Sequence, residues 1–202
     1  MKIAVLGASG RAGSEIVKEL AARGHQVLAV ARKPEVIPSM PGVTAKGGDA
    51  SNVAELAELI AGTDAVISAL HFDVSADILL SALKRAGVGR LLVTGGAASL
   101  EVAPGQRLID SADFPAEWKP AAMGGIAFLD ALRKEDEIDW TFFSPAAFIF
   151  EGPRLGTYRI GGEQLVKNET GESKISFADY AIAMIDELEQ HRHSRARFTA
   201  AY

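Results

Sequence analysis

An α/β fold, a Rossmann-type doubly wound parallel sheet with helices on both faces, is what these 202 residues predict. Three observations carry it. Short apolar runs alternate with stretches of helical spacing along most of the chain. The runs are apolar at nearly every position, as strands buried on both faces of a parallel sheet must be. A glycine-rich turn, Gly7-Ala8-Ser9-Gly10-Arg11-Ala12-Gly13, joins the first run to the first helix.

Taken in order, Ile3 to Leu6 is the first strand, and Ile16, Val17, Leu20 and Ala21 share one face of a helix over 14–23 that Gly24 can end. Val27 to Ala31 is a second strand and Val43 to Ala45 a weaker third. Ser51 is a plausible N-cap for a helix carrying Val53, Leu56, Ala57 and Ile60. Ala65 to Leu70 is a fourth strand; Ile78, Leu79, Ala82 and Leu83 mark a third helix stopped near Gly87; Arg90 to Thr94 is a fifth strand. A helix over 121–134 and a strand over 140–143, ending at Ser144-Pro145, complete the alternation. Right-handed crossovers then place alternate helices on opposite faces and all strand carboxyl ends on one edge, where this architecture binds ligands. Two segments break the rhythm. Residues 98–120 hold three prolines and no sustained period. Residues 152–176 are Gly-rich, with β-like pieces at 157–160 and 164–167, and read as a small hairpin-bearing substrate lobe inserted in one domain spanning 1–202. A last helix over 178–189 precedes a closing strand at 198–201.

Composition narrows the function. Basic residues number 21 against 26 acidic, a net charge of −5, which argues against a nucleic-acid surface. With no cysteine there is no disulfide, thiolate nucleophile or cysteine-held metal. The tail His191-Arg192-His193-Ser194-Arg195-Ala196-Arg197 reads as a solvated loop. Its two histidines make a poor metal site, so no metal is expected. The apolar start is too short for a secretory h-region, and no stretch reaches the ~20 apolar residues of a membrane span. A cytoplasmic protein without nucleic-acid or membrane partners is expected, as a monomer or homodimer.

The glycine turn points to a nicotinamide dinucleotide. Gly7 permits the tight turn, Gly10 lets a pyrophosphate approach the backbone, and Gly13 lets the helix pack on the sheet. The N–H groups of Ser9 to Gly13, Arg11 and Ala12 included, and the helix dipole would meet the phosphates. The second strand ends Val30-Ala31-Arg32-Lys33, with no acid between Gln26 and Pro34 to accept from ribose hydroxyls. Arg32, with Lys33 beside it and Arg11 within reach of the same group, suits a 2′-phosphate. NADP(H) is therefore expected over NAD(H). Asp49, with Ala50 after it, either accepts from the adenine amine or starts the next helix.

In this order the segments KIAVLGASGRAGSEIV (2–17), DAVISAL (64–70), RLLVTGGAASLEVAPG (90–105), DFPAEWKP (113–120), DWTFFSPAAFI (139–149) and GESKISFADYAIAMIDELE (171–189) resemble the short-chain dehydrogenase/reductase superfamily. More narrowly they resemble its atypical NAD(P)H-binding branch, which includes NmrA-like and biliverdin-reductase-B-like proteins, and within it the NADH-flavin reductases. The resemblance covers nearly the whole chain; GGAASLEVAPG and FPAEWKP are its most specific segments. It implies a Rossmann-type fold, a C-terminal substrate lobe, and reduction of free flavin (FMN or riboflavin) or a related flat aromatic acceptor such as a quinone.

The superfamily's Tyr-x-x-x-Lys acid is absent: Gly162 follows Tyr158 by four residues, Met184 follows Tyr180, and Tyr202 is terminal. Carbonyl reduction wants a donor aimed at the developing oxyanion, whereas flavins and quinones accept hydride into a delocalised system and take protons from solvent. The gap also suits a non-catalytic, NmrA-like sensor of bound NADP. Strand ends give the remaining candidates. Ser68, Ala69, Leu70 and His71 end the fourth strand, Thr94, Gly95 and Gly96 the fifth, and Ser144, Pro145, Ala146 and Ala147 the sixth; in the superfamily these positions border the nicotinamide and its ribose. Thr94 and His71 are the catalytic candidates, each with a purely local role as the alternative. Phe72, Trp118, Phe148 and Phe150 would shape an apolar acceptor pocket, and Lys119 would face a flavin phosphate; plain core packing and a solvated lysine are the alternatives.

Overall fold

The structure, a computed structural model, describes residues 1–202. Seven parallel strands and one antiparallel edge strand form its central sheet. In chain order the elements are β1 (Lys2–Leu6), α1 (Arg11–Ala22), β2 (Gln26–Ala31), β3 (Val43–Gly47), α2 (Val53–Ile60), β4 (Ala65–Ser68), α3 (Ala76–Ala86), β5 (Arg90–Thr94), β6 (Glu101–Ala103), β7 (Gln106–Arg107), α4 (Lys119–Leu132), β8 (Asp139–Ser144), β9 (Phe148–Phe150), β10 (Arg159–Gly161), β11 (Lys174–Ser176), α5 (Phe177–Gln190) and β12 (Ala196–Ala201). The sheet order is β10-β12-β8-β5-β4-β1-β2-β3, with only β10 antiparallel. The order reverses between β1 and β4, the crevice where doubly wound sheets bind their ligands.

The helices cover both faces. On one, α1 and α5 bury Ile16, Val17, Leu20, Met184 and Ile185 against β1, β2 and β12. On the other, α2, α3 and α4 bury Leu56, Leu79, Leu83 and Leu129 against β1, β4 and β8. This two-sided cover is why the strands read as unbroken apolar runs.

Four expectations change. The α2 cap is Asn52, whose side chain accepts from the N–H groups of Ala54 and Glu55, and not Ser51. The 98–120 segment contains the β6–β7 hairpin. The segment 152–176 holds no hairpin of its own. Its first β-like piece, β10, pairs with β12 and covers what would be an exposed sheet edge. The second is reduced to a single bridge between Gln164 and Glu101. Finally, the basic tail is a solvated loop only in part: His191, Arg192, Ser194 and Arg195 are exposed, but Ala196 and Arg197 belong to β12 and both histidines find carboxylates. His193 Nδ1 meets the buried Glu187 carboxylate at 2.7 Å, and its ring stacks on Phe198. His191 and Ser194 both reach Asp139, and Arg90 bridges Asp139 and Glu187. Burial opposes the Asp139 charge, but the Ser194 hydroxyl, Arg90 and His191 outweigh it and hold that carboxyl below its usual range.

A second polar joint fixes 153–158 to α5. The fully buried Asp179 carboxylate accepts from the N–H of Leu155 (3.1 Å), the N–H of Gly156 (2.8 Å) and the Tyr202 hydroxyl (2.6 Å). Arg154 adds an ion pair to Glu19 of α1. No helix of the protein is long and apolar enough to cross a membrane.

Candidate functional site

The carboxyl ends of β1 to β4 frame a groove of about 450 Å³. Gly7, Ser9 and Gly10 form its floor, Arg32 one end, Gly48 to Ser51 one side, and Ala69, Leu70 and His71 the other. The floor is held rigidly. Gly7 has φ +75° and donates to the Val30 carbonyl at 3.0 Å, and a Cβ there would lie 2.6 Å from the Ala69 carbonyl oxygen. A Cβ on Gly13 would collide with the Gly7 carbonyl oxygen, so α1 can seat against β1 only with glycine at both places. Helix α1 follows the N-cap Gly10 with no side-chain cap and no acid in its first turn. Its first N–H groups are therefore left for an anion, which is what a bound pyrophosphate needs.

The expected cofactor residues other than Arg11 fall into three sets. Gly7, Ser9, Gly10, Arg32, Asp49, Ala50, Ala69 and Leu70 line the groove. Ala12, Gly13, Lys33, Ser68, Thr94, Gly95 and Ser144 lie outside its wall. Of these, Ser68 and Ser144 are buried strand ends, and Gly95 packs against the Phe142 ring while its N–H bonds the Phe143 carbonyl. Gly96, Pro145 and Ala146 line the neighbouring cavity. Arg11 is set apart. Its guanidinium lies 5.2 Å from the Phe177 ring centroid and borders an adjoining pocket of about 350 Å³, which shares Ser9 and Gly10 with the groove and includes Glu15 and Glu151. Asp49 accepts from both the N–H and the hydroxyl of Ser51, and these bonds, with Arg32 nearby, hold its carboxyl below the usual range. These contacts make a local turn before α2, whose cap is Asn52, and Asp49 itself lines the groove. Sequence reasoning missed Asp73 and Val74, which close the groove after β4.

Next to the groove lies a larger, mainly apolar cavity of about 720 Å³. Its walls come from the two segments that broke the strand–helix rhythm, together with α4 and the loop after β8. His71 lines both the groove and this cavity. Phe72 is in the cavity wall, braced by Phe128 and Phe142 at centroid distances of 5.5 and 6.3 Å. Gly124 and Gly125 of α4 make room for it: a Cβ at Gly125 would come within 2.9 Å of its ring. Trp118 is also in the wall, although 57% exposed. Lys119 and Phe148 are not. Lys119 opens α4 on the surface, and Phe148 stacks outside on Phe150. Strand alternation explains the second case, because Ile149, between those two rings, is the one that faces the cavity. Ser99, Phe114, Ile126 and Lys167, wall residues that sequence reasoning did not single out, lie on irregular chain or on α4 with no local signature.

No tyrosine lines the cavity. The Tyr180 hydroxyl is buried and donates to the Phe143 carbonyl at 2.7 Å, with burial pushing its pKa up. The Tyr158 hydroxyl bonds Asp186, and the Tyr202 hydroxyl bonds Asp179. The absent Tyr-x-x-x-Lys acid is therefore not replaced by a tyrosine from elsewhere in the fold.

Comparison with known proteins follows the same lines. Residues 7–190 match the family described as NAD(P)H-binding. The uncharacterized protein YwnB of Bacillus subtilis is 44% identical, over 98% of this chain and 97% of its own. Among solved structures, a Bacteroides thetaiotaomicron protein provisionally named an epimerase superposes with a TM-score of 0.94 at 44% identity, covering 100% of this chain and 96% of that one. A Streptococcus pneumoniae protein provisionally named an NADH-flavin reductase superposes with a TM-score of 0.85 at 36% identity, covering 100% and 99%.

Proposed function

We propose a reductase function for this chain, which belongs to the NAD(P)H-binding family: it transfers hydride from NADPH to a flat aromatic acceptor, a free flavin (FMN or riboflavin) or a quinone. The observation that carries this reading is the junction at His71, where the groove over the glycine turn meets a large apolar cavity. The name of the pneumococcal relative supports the flavin. The epimerase name of the Bacteroides relative fits less well, because no tyrosine reaches the cavity.

In this reading the N–H groups at the start of α1 hold the pyrophosphate, the glycines of the turn let it approach, and Arg32 pairs with the 2′-phosphate. Bound NADPH supplies the hydride. Ala69 and Leu70 bound the nicotinamide ribose side of the groove, and His71 stands where nicotinamide and acceptor would meet. Phe72, Trp118, Ile126 and Ile149 give the acceptor an apolar bed that excludes water and fixes a flat ring. Thr94 and Lys119, set outside the wall, are assigned no acceptor contact. A delocalised acceptor needs no tyrosine acid, and solvent returns the proton.

The test is loss of the dihydronicotinamide absorbance when NADPH is mixed with the protein and FMN, riboflavin or a benzoquinone. Protein-dependent oxidation with at least one of these acceptors is expected. Tight NADPH binding with no oxidation across the panel would instead favour the second reading, an NADP-sensing regulator in the manner of NmrA-like proteins, which the lack of a tyrosine acid also fits.

A further inference from the structure

β12 carries a charge where its neighbours carry core. Phe198 and Ala200 point into the α1–α5 face, and Arg197, alternating with them, points to the other side of the sheet with only 2% of its side chain exposed. Desolvating a guanidinium is costly unless every N–H is satisfied. Here the satisfaction is incomplete. The carboxylate partner of Arg197 is Glu163, itself 55% exposed and shared with Arg133 at 3.2 Å, and the Nε of Arg197 has no partner.

The remaining contact of Arg197 is informative. Its Nη1 donates to Ser99 Oγ at 2.8 Å, across 98 residues of sequence. Ser99 and Ile126 form the partition between the acceptor cavity and the smaller pocket holding Arg197, Arg133 and Glu163. Ser99 Oγ makes no other hydrogen bond, so its oxygen is occupied as an acceptor while its O–H remains an unused donor at the cavity wall. A hydroxyl whose oxygen accepts from a cation is polarised into a stronger donor.

We propose that Ser99 is the hydrogen-bond donor that recognises an oxygen of the acceptor, and that Arg197 is the positioning residue that orients and polarises it. The acceptor class is thereby narrowed to flat rings bearing a carbonyl oxygen, as flavins and quinones do. The hydrogen bond strengthens as hydride arrival builds negative charge on that oxygen. No bond at Ser99 breaks, and the proton that completes the reduction comes from solvent. This inference rests on the larger cavity being the acceptor site.

The test is equilibrium binding to the full chain, without turnover, of two probes of the same bicyclic shape: menadione, which has two carbonyls, and 2-methylnaphthalene, which has none. The wild type should bind menadione the tighter. Ser99→Ala should lower menadione affinity about tenfold, the worth of one such hydrogen bond, and leave 2-methylnaphthalene unchanged, whereas Ser99→Thr should restore menadione. Arg197→Lys should lower menadione affinity by a smaller factor, and should change nothing further when Ser99 is already alanine. Equal losses for both probes in Ser99→Ala, or a wild type with no preference for menadione, would overturn the proposal while leaving the cavity as the acceptor site. A wild type that binds neither probe would overturn the acceptor site and this proposal together.

Discussion

Gly13→Ala is expected to lower stability by about 3 kcal/mol, a fall of roughly 6–12 °C in melting temperature for a chain of this size, and to take NADPH binding with it. The added Cβ would strike the Gly7 carbonyl oxygen, and it would lie 2.9 Å from the Gly7 carbonyl carbon and 3.1 Å from the Ala8 Cα. All three are backbone atoms, so no side chain can turn aside. Gly7 cannot retreat, because it is pinned by its bond to Val30 and by the Ala69 carbonyl behind it. Relief requires α1 to slide off β1, and α1 carries Ile16, Val17 and Leu20 into the core. The same slide moves the helix N-terminus away from the phosphates. Gly89→Ala is the matched control, since Gly89 has no atom within 4 Å of its would-be Cβ and no positive φ. Thermal melts and NADPH titrations of the two variants check this; equal behaviour would mean the turn is looser than its geometry indicates.

Arg32→Ala should weaken NADPH by roughly 10–100-fold, the worth of a charge-assisted contact of about 1.5–3 kcal/mol, with NADH little changed. Arg32 is exposed at the end of β2 and lines the groove, whereas Arg11, the other candidate, sits over Phe177 beyond the turn. The 2′-phosphate is the only part of NADPH that NADH lacks. Parallel titrations of the two cofactors therefore isolate this contact, and equal losses for both would remove Arg32 from the role.

The groove was the more legible part of the candidate site because its residues are local. Gly7, Gly10, Gly13 and Arg32 follow directly from a strand, a turn and a helix adjacent in sequence, and backbone sterics dictate the glycines. Strands β1, β2, β4 and β5 were legible for a similar reason, because two-sided burial leaves near-continuous apolar runs, whereas the edge strand β3, exposed at four of its five positions, gave a weaker signal. The lining of the neighbouring cavity was not, because tertiary packing decides it. Trp118 faces the cavity and Lys119 does not; Ile149 does and Phe148 does not. Nothing in composition chooses between such neighbours when the elements are three residues long. The pairing of β10 with β12 and the Arg197–Ser99 contact join positions far apart in the chain, and a single sequence carries no record of such pairs. The tail from His191 to Arg197 read as solvated because its partners, Glu187 and Asp139, lie on other elements.

The central claim is that groove and cavity form one site in which hydride passes directly from NADPH to an acceptor. It is tested most directly by single-turnover oxidation of NADPH deuterated at one or the other face of the nicotinamide C4. Because a bound nicotinamide presents one face to the cavity, one isotopologue should slow the decay of the dihydronicotinamide absorbance and the other should leave it unchanged. Oxidation that responds equally to both labels, or bound NADPH that is not oxidised by any flavin or quinone, would contradict it.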